Sequence, residues 1–176
     1  MMLKSFKRGM TAAEDAIVKQ AERHIRIQDE VFPPPLRQGE FATLFKMHGL
    51  EVAGRPFDLD YRRYFQLEAD GRLVFVVARD DHAGPTAPAV GYSCHFWYRD
   101  LHFNERVGAD DLWFVAPHYR KRGIGACLKL WGHELMRYRG CVRIRDVIRD
   151  EFDHPDLMRK IGFARRATQW TRDLAK

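Results

Sequence analysis

The chain is 176 residues long, 45% apolar and 31% charged, which fits one ordinary domain and excludes wholesale disorder. Its longest clear apolar run, Leu73–Ala78, falls far short of the roughly 18 residues of a membrane-spanning helix. Lys and Arg number 30 against 24 Asp and Glu, a formal charge of +6, which favours a polyanionic partner such as a nucleic acid or a phosphate-bearing cofactor.

Thr11-Ala-Ala-Glu14 has the form of a capping box and predicts a helix. Ile17, Val18, Ala21 and Ile25 give it a weak apolar stripe, and Pro33-Pro34-Pro35 ends it. A second helix is predicted from about Gly39 to His48, with Phe41, Leu44, Phe45 and His48 on one face. Asp58 is placed to cap a short third helix containing Tyr61, Tyr64 and Phe65. After the Asp70-Gly71 turn, Leu73–Ala78 reads as a strand buried on both faces. Residues 80–88 read as a hairpin connection, Val90–Tyr98 as a strand, Leu101–Ala109 as a polar link and Leu112–Val115 as a buried strand.

The clearest helix follows. Ile124, Cys127, Leu128, Trp131 and Leu135 fall at helical spacing, and Gly140 ends the run. Val142–Ile148 then reads as a strand, His154–Lys160 as a short helix stopped by Gly162, and Ala167–Leu174 as a final strand. This order predicts a single mixed α/β body. The N-terminal segment MMLKSFKRGM has positive charge without an apolar stretch behind it, so no secretory signal is expected. Cys94, Cys127 and Cys141 are odd in number and lack CxxC spacing. They argue for buried fillers, a reducing cytoplasm and neither a disulfide scaffold nor a zinc ribbon.

The chemistry-bearing stretch runs from Leu112 to Leu128. A buried strand enters a basic loop, Arg120-Lys121-Arg122-Gly123-Ile124-Gly125, that opens an amphipathic helix. Helix N-termini present unpaired N–H groups and the positive end of a dipole, and glycine allows an anion close approach. A pyrophosphate or phosphate ester is the expected ligand. Neither GxxxxGK[ST] nor GxGxxG is present, since Leu128 stands where the third glycine would be.

Val115-x-Pro117-x-x-Arg120-x-x-Gly123-x-Gly125 resembles the acetyl-CoA pyrophosphate loop of the GNAT superfamily, the acyl-CoA-dependent N-acyltransferases. The later strand, short helix and Ile161-Gly162-Phe163 step follow that family's order, and the resemblance covers about residues 38–174. The dense aromatics are similar to those of phage- and prophage-encoded members. The resemblance implies a central, mostly antiparallel sheet with splayed strands, flanked by helices. It divides the chain into an N-terminal helical extension, 1–37, and an acyl-CoA-binding domain, 38–176.

It also implies acetyl-CoA as cosubstrate, held by Arg120, Lys121, Arg122, Gly123, Ile124, Gly125 and Ala126, with the pantetheine arm along Trp113, Phe114 and Val115. A primary amine would attack directly, in a small molecule or protein that the sequence does not specify. Many relatives place a tyrosine acid where this chain has Met158, which cannot donate a proton. Asp110 and Asp111 are the candidate bases, or alternatively cap the strand. Glu51 follows the helix of His48, and His48 on an apolar face reads as a satisfied core residue.

No metal is assigned, because His95, His102 and His133-Glu134 lack ligand spacing. Tyr92, Phe96, Trp97, Tyr98 and Trp113 are strand aromatics that either fill the core or line an acceptor pocket. Arg143, Arg145 and Arg149 either attract an acidic acceptor or form a solvated face. The alternative function is a non-catalytic CoA-binding or interaction protein of the same fold. No helix-turn-helix, zinc-finger or RNP signature supports nucleic-acid binding. No membrane partner is expected, and a homodimer is compatible with the sequence.

Overall fold

The computed structural model describes residues 24–33, 38–83, 86–147 and 155–165, with Ala12 and Ala16 as isolated helical positions. The chain runs β1 (Ile25–Glu30), α1 (Gln38–Ala53), α2 (Tyr61–Ala69), β2 (Leu73–Asp80), β3 (Ala89–Arg99) and β4 (Arg106–Val115). A 3-10 turn (Pro117–Tyr119) leads into α3 (Ile124–Tyr138), β5 (Arg143–Arg145) and α4 (Pro155–Lys160). The cap expected over Thr11–Glu14 and the strand expected over Ala167–Leu174 lie outside the described residues.

The five strands form one sheet in the order β1-β2-β3-β4-β5. Strands β1 to β4 pair antiparallel, and β5 joins β4 in parallel. Helices cover both faces, which is why β2 is a continuous apolar run rather than an alternating one. Leu73, Phe75 and Val77 pack with Phe41, Leu44 and Phe45 of α1 and with Leu67 of α2. Val74, Val76 and Ala78 point the other way, into a cluster with Leu128 and Met136 of α3 and Met158 of α4.

Four local expectations are corrected. Ile25, expected on a helical stripe, opens the edge strand β1 and sits opposite Asp80 of β2. Asp60, not Asp58, caps α2, accepting the Arg63 N–H at 3.0 Å. The polar link ends early, because β4 already starts at Arg106. The strand expected over Val142–Ile148 pairs only through Arg143–Arg145.

The pairing of β3 with β4 slips by one residue. Cys94 stands opposite Leu112, but His95 stands opposite Asp110, so Asp111 is an extra residue. Such a bulge inverts the in–out alternation of the strand. Leu112 and Phe114 join the α1 and α2 core, whereas Asp110 reaches residues of α3. Asp111 reaches Tyr64 of α2.

His95 sits against α3 at Gly132, where a Cβ would overlap its imidazole. In a free helix, replacing an interior glycine by alanine stabilises by about 1 kcal/mol. Here overpacking, typically about 1–3 kcal/mol, opposes that gain and disturbs the His95 hydrogen bonds as well. Gly132→Ala is expected to destabilise the fold by about 1–2 kcal/mol net in urea unfolding; a stabilised variant would show that His95 is free to move.

Candidate active site

β4 and β5 share three pairs, Val107 with Arg143 through Ala109 with Arg145. Beyond them the strands part, and β4 keeps an edge from Asp110 to Val115 with no β5 partner. The gap opens into a cleft of about 960 Å³. Its walls come from β4, the Arg120–Ala126 loop, the C-terminal half of α1 and the start of α4.

At one end lies the loop. Lys121 (φ 64°) and Gly123 (φ 79°) are both left-handed and turn the backbone sharply into α3. Gly123 is the N-cap and supplies no side-chain cap, so the first N–H groups of α3 lack an intrahelical partner. Arg120 clamps the loop: its Nε donates to the Val115 carbonyl at 2.9 Å and its Nη2 to Glu51 of α1 at 2.5 Å. The Arg122 guanidinium lies over the Tyr119 ring, and the Tyr119 hydroxyl donates to Asp80. Trp113, Phe114, Val115, Arg120, Lys121, Gly123, Ile124, Gly125 and Ala126 all line the cleft; Arg122 is the expected loop residue that does not. Gly125 also makes room within the fold. A Cβ there would press on the Trp113 indole at 2.9 Å, and Trp113 Nε1 donates to the Gly125 carbonyl.

At the other end the bulge separates the two aspartates. Asp110 is buried and accepts from three donors: His95 Nδ1 at 2.7 Å, Lys129 Nζ at 2.7 Å and His133 Nε2 at 3.1 Å. Burial pushes its carboxyl up, but His95, His133 and Lys129 together hold it well below the usual carboxylate range. Burial lowers the His95 pKa below the ordinary value, against the pull of Asp110. His95 Nδ1 faces Asp110, and its Nε2 lies 2.8 Å from the Ser93 hydroxyl, which donates to the Leu128 carbonyl at 3.2 Å. Lys129 also donates to Asp146, just past β5. Burial and the charge of Asp110 raise the Asp146 carboxyl against the pull of Lys129.

Asp111 instead is exposed on the cleft and accepts from the Tyr64 hydroxyl at 2.5 Å. Partial desolvation of the carboxyl group raises it above the ordinary value, against the Tyr64 hydrogen bond. His48 also lines the cleft, stacked on Phe114. Burial lowers its pKa to about 4, and its Nδ1 shares a hydrogen bond with the Tyr92 hydroxyl at 2.8 Å.

Several candidates fall elsewhere. Tyr92 is fully buried, and the three cysteines are buried and not joined in a disulfide. Arg143 pairs with Glu105, and Arg145 pairs with Asp100 at 2.9 Å; Arg149 lies outside the described residues. Met158 is buried in the α3 face core. His95, Asp110 and His133 bring ligand-capable atoms within 4.8 Å of one another. The fold creates that cluster rather than any sequence spacing, and the Lys129 ammonium already supplies the cation at Asp110. Lys129, Asp146, His95 and Tyr64 are the site residues that sequence reasoning missed.

A sequence profile of the acetyltransferase (GNAT) family matches residues 40–163, and the chain belongs to that family. Comparison with curated protein sequences gives no match. Among solved structures, the fold is similar to a transcriptional regulator from Bacillus halodurans, with 18% identity and a TM-score of 0.68 over 86% of this chain and 100% of that one. It is similar to ribosomal-protein-alanine N-acetyltransferase from Brucella melitensis biovar Abortus, with 20% identity and a TM-score of 0.64 over 86% and 99% of the two chains. It is also similar to AAC(6')-Iy in complex with the bisubstrate analogue CoA-S-monomethyl-acetylneamine, with 17% identity and a TM-score of 0.66 over 86% and 99%. Among the described residues, no helix is long and apolar enough to cross a membrane.

His48 gives a pH prediction. Its folded pKa of about 4 lies below the ordinary 6.5, so between those values the unfolded chain binds the extra proton. Stability therefore falls as pH drops from 6.5 towards 4. The expected loss is at most about 3 kcal/mol. His48→Asn, which preserves a hydrogen-bonding partner for Tyr92, should flatten that part of the curve in urea melts taken at successive pH values.

Proposed function

We propose that the chain is an acetyl-CoA-dependent N-acetyltransferase that moves acetyl to a primary amine by direct attack. The observation that carries this reading is the free edge of β4 running into the uncapped N-terminus of α3. When bound, acetyl-CoA supplies an activated acetyl thioester. The N–H groups of Ile124, Gly125 and Ala126, with the helix dipole and the Lys121 ammonium, form a cradle suited to its pyrophosphate. The backbone of Trp113–Val115 offers the hydrogen bonds of a missing neighbour strand to an extended pantetheine arm. N–H groups on the same edge would polarise the thioester carbonyl.

Asp111 is the better base of the two aspartates. It faces the cleft, and its raised carboxyl suits proton uptake. Asp110 is saturated by three donors and held low, so it orients rather than accepts. The amine nitrogen forms the new bond to carbon, the carbon–sulfur bond breaks, the thiolate leaves with the electron pair, and the ammonium proton goes to Asp111. Met158 favours a second reading, a relative that binds CoA without turnover, because the position offers no proton donor.

Calorimetric titration with acetyl-CoA is expected to give micromolar or tighter binding in the wild type. Gly123→Val forces a β-branched residue into a left-handed position and should weaken that binding at least tenfold; unchanged affinity would remove the loop from the site. Asp111→Asn should lower kcat about 10²-fold while acetyl-CoA affinity stays close to wild type. Binding without turnover against a broad amine panel would favour the second reading.

A further inference from the structure

We infer that Lys129 is a specificity-determining residue, the centre of an Asp110–Lys129–Asp146 triad that ends the cleft and limits the donor to a two-carbon acyl group. The inference rests on the acetyl-CoA reading above.

The triad sits where the sheet forks. Ala109 and Arg145 are the last pair between β4 and β5. The next residue on each side is an aspartate, and the two do not pair. Both instead turn their carboxylates onto one ammonium carried by α3. The side chains of Lys129, Asp110 and Asp146 are only 1%, 4% and 7% exposed, yet all three residues border the cleft.

Direction along α3 completes the argument. Gly125 and Lys129 are four residues apart, hence on one face and about 6 Å apart along the axis. Both contact Trp113, through the Gly125 carbonyl and through the Lys129 ammonium 4.6 Å from the ring centre. The loop end and the fork end are therefore consecutive parts of one track. A donor anchored by its pyrophosphate at the loop directs its acyl end at the fork.

The fork is ionic and braced. His95 and His133 hold Asp110 from two further sides, and Gly132 lets the His95 ring sit against the helix. A methyl group needs no room in that wall. A longer alkyl tail would have to press on three buried charges or part them, which costs desolvation and pairing energy. A carboxylated tail would meet two carboxylates that already share the one ammonium.

The test compares the Kd of CoA, acetyl-CoA and butyryl-CoA by calorimetry, which needs no acceptor. Wild-type protein should bind acetyl-CoA at least tenfold more tightly than butyryl-CoA. The charge-balanced double variant Lys129→Met with Asp146→Asn should narrow that ratio below threefold. Equal affinities in the wild type, or a ratio unchanged in the double variant, would overturn the inference while leaving the cosubstrate reading intact. Failure of wild-type protein to bind all three, CoA included, would overturn both. A thermal melt checks that the double variant folds. If it does not, Lys129→Arg is read instead: its bulkier guanidinium should widen the acetyl-to-butyryl ratio, and an unchanged ratio would count against the inference.

Discussion

One extra residue in β4 decides the character of the cleft. Without the bulge, neighbouring aspartates would point to opposite faces in the phase set by Leu112 and Phe114, and Asp110 would enter the aromatic core. With it, Asp110 meets His95, Lys129 and His133, and Asp111 meets Tyr64. A buried carboxylate without donors would cost several kcal/mol. Three donors from β3 and α3 satisfy this one, so the bulge, the fork and the helix register depend on each other.

The two ends of the cleft use opposite strategies. At the loop, backbone groups stay unsatisfied and Arg120 is tied back to Val115 and Glu51, so the positive field comes from the helix terminus and Lys121. At the fork, two carboxylates close on one ammonium within a few ångströms. An open, cationic end and a closed, internally paired end give the track a polarity that a bound molecule must match.

Much of this was legible in the sequence. The glycine-containing basic loop, the amphipathic α3 and the doubly buried β2 follow from local pattern, because each depends on residues close together in the chain. The first half of β4 was not legible. Gly108 packs under Ile144 and Met136, and the bulge breaks alternation at Asp110–Asp111, so a strand reads as a polar link. Lys129 was hidden for another reason. Its partners lie 19 and 17 residues away on other elements, and a lysine on a helix reads as solvated until those carboxylates are in place. The packing of Gly125 against Trp113 was not legible either, because its partner stands 12 residues earlier on another element.

The burial of the three thiols has a practical side. Cys94, Cys127 and Cys141 are all inside the folded chain, and burial pushes the Cys94 and Cys141 thiols up, away from the reactive thiolate form. A chromogenic disulfide reagent added to the native protein therefore meets almost no background from the polypeptide. Colour that develops on adding a thioester and an amine then reports, one for one, the thiol that the proposed transfer would release.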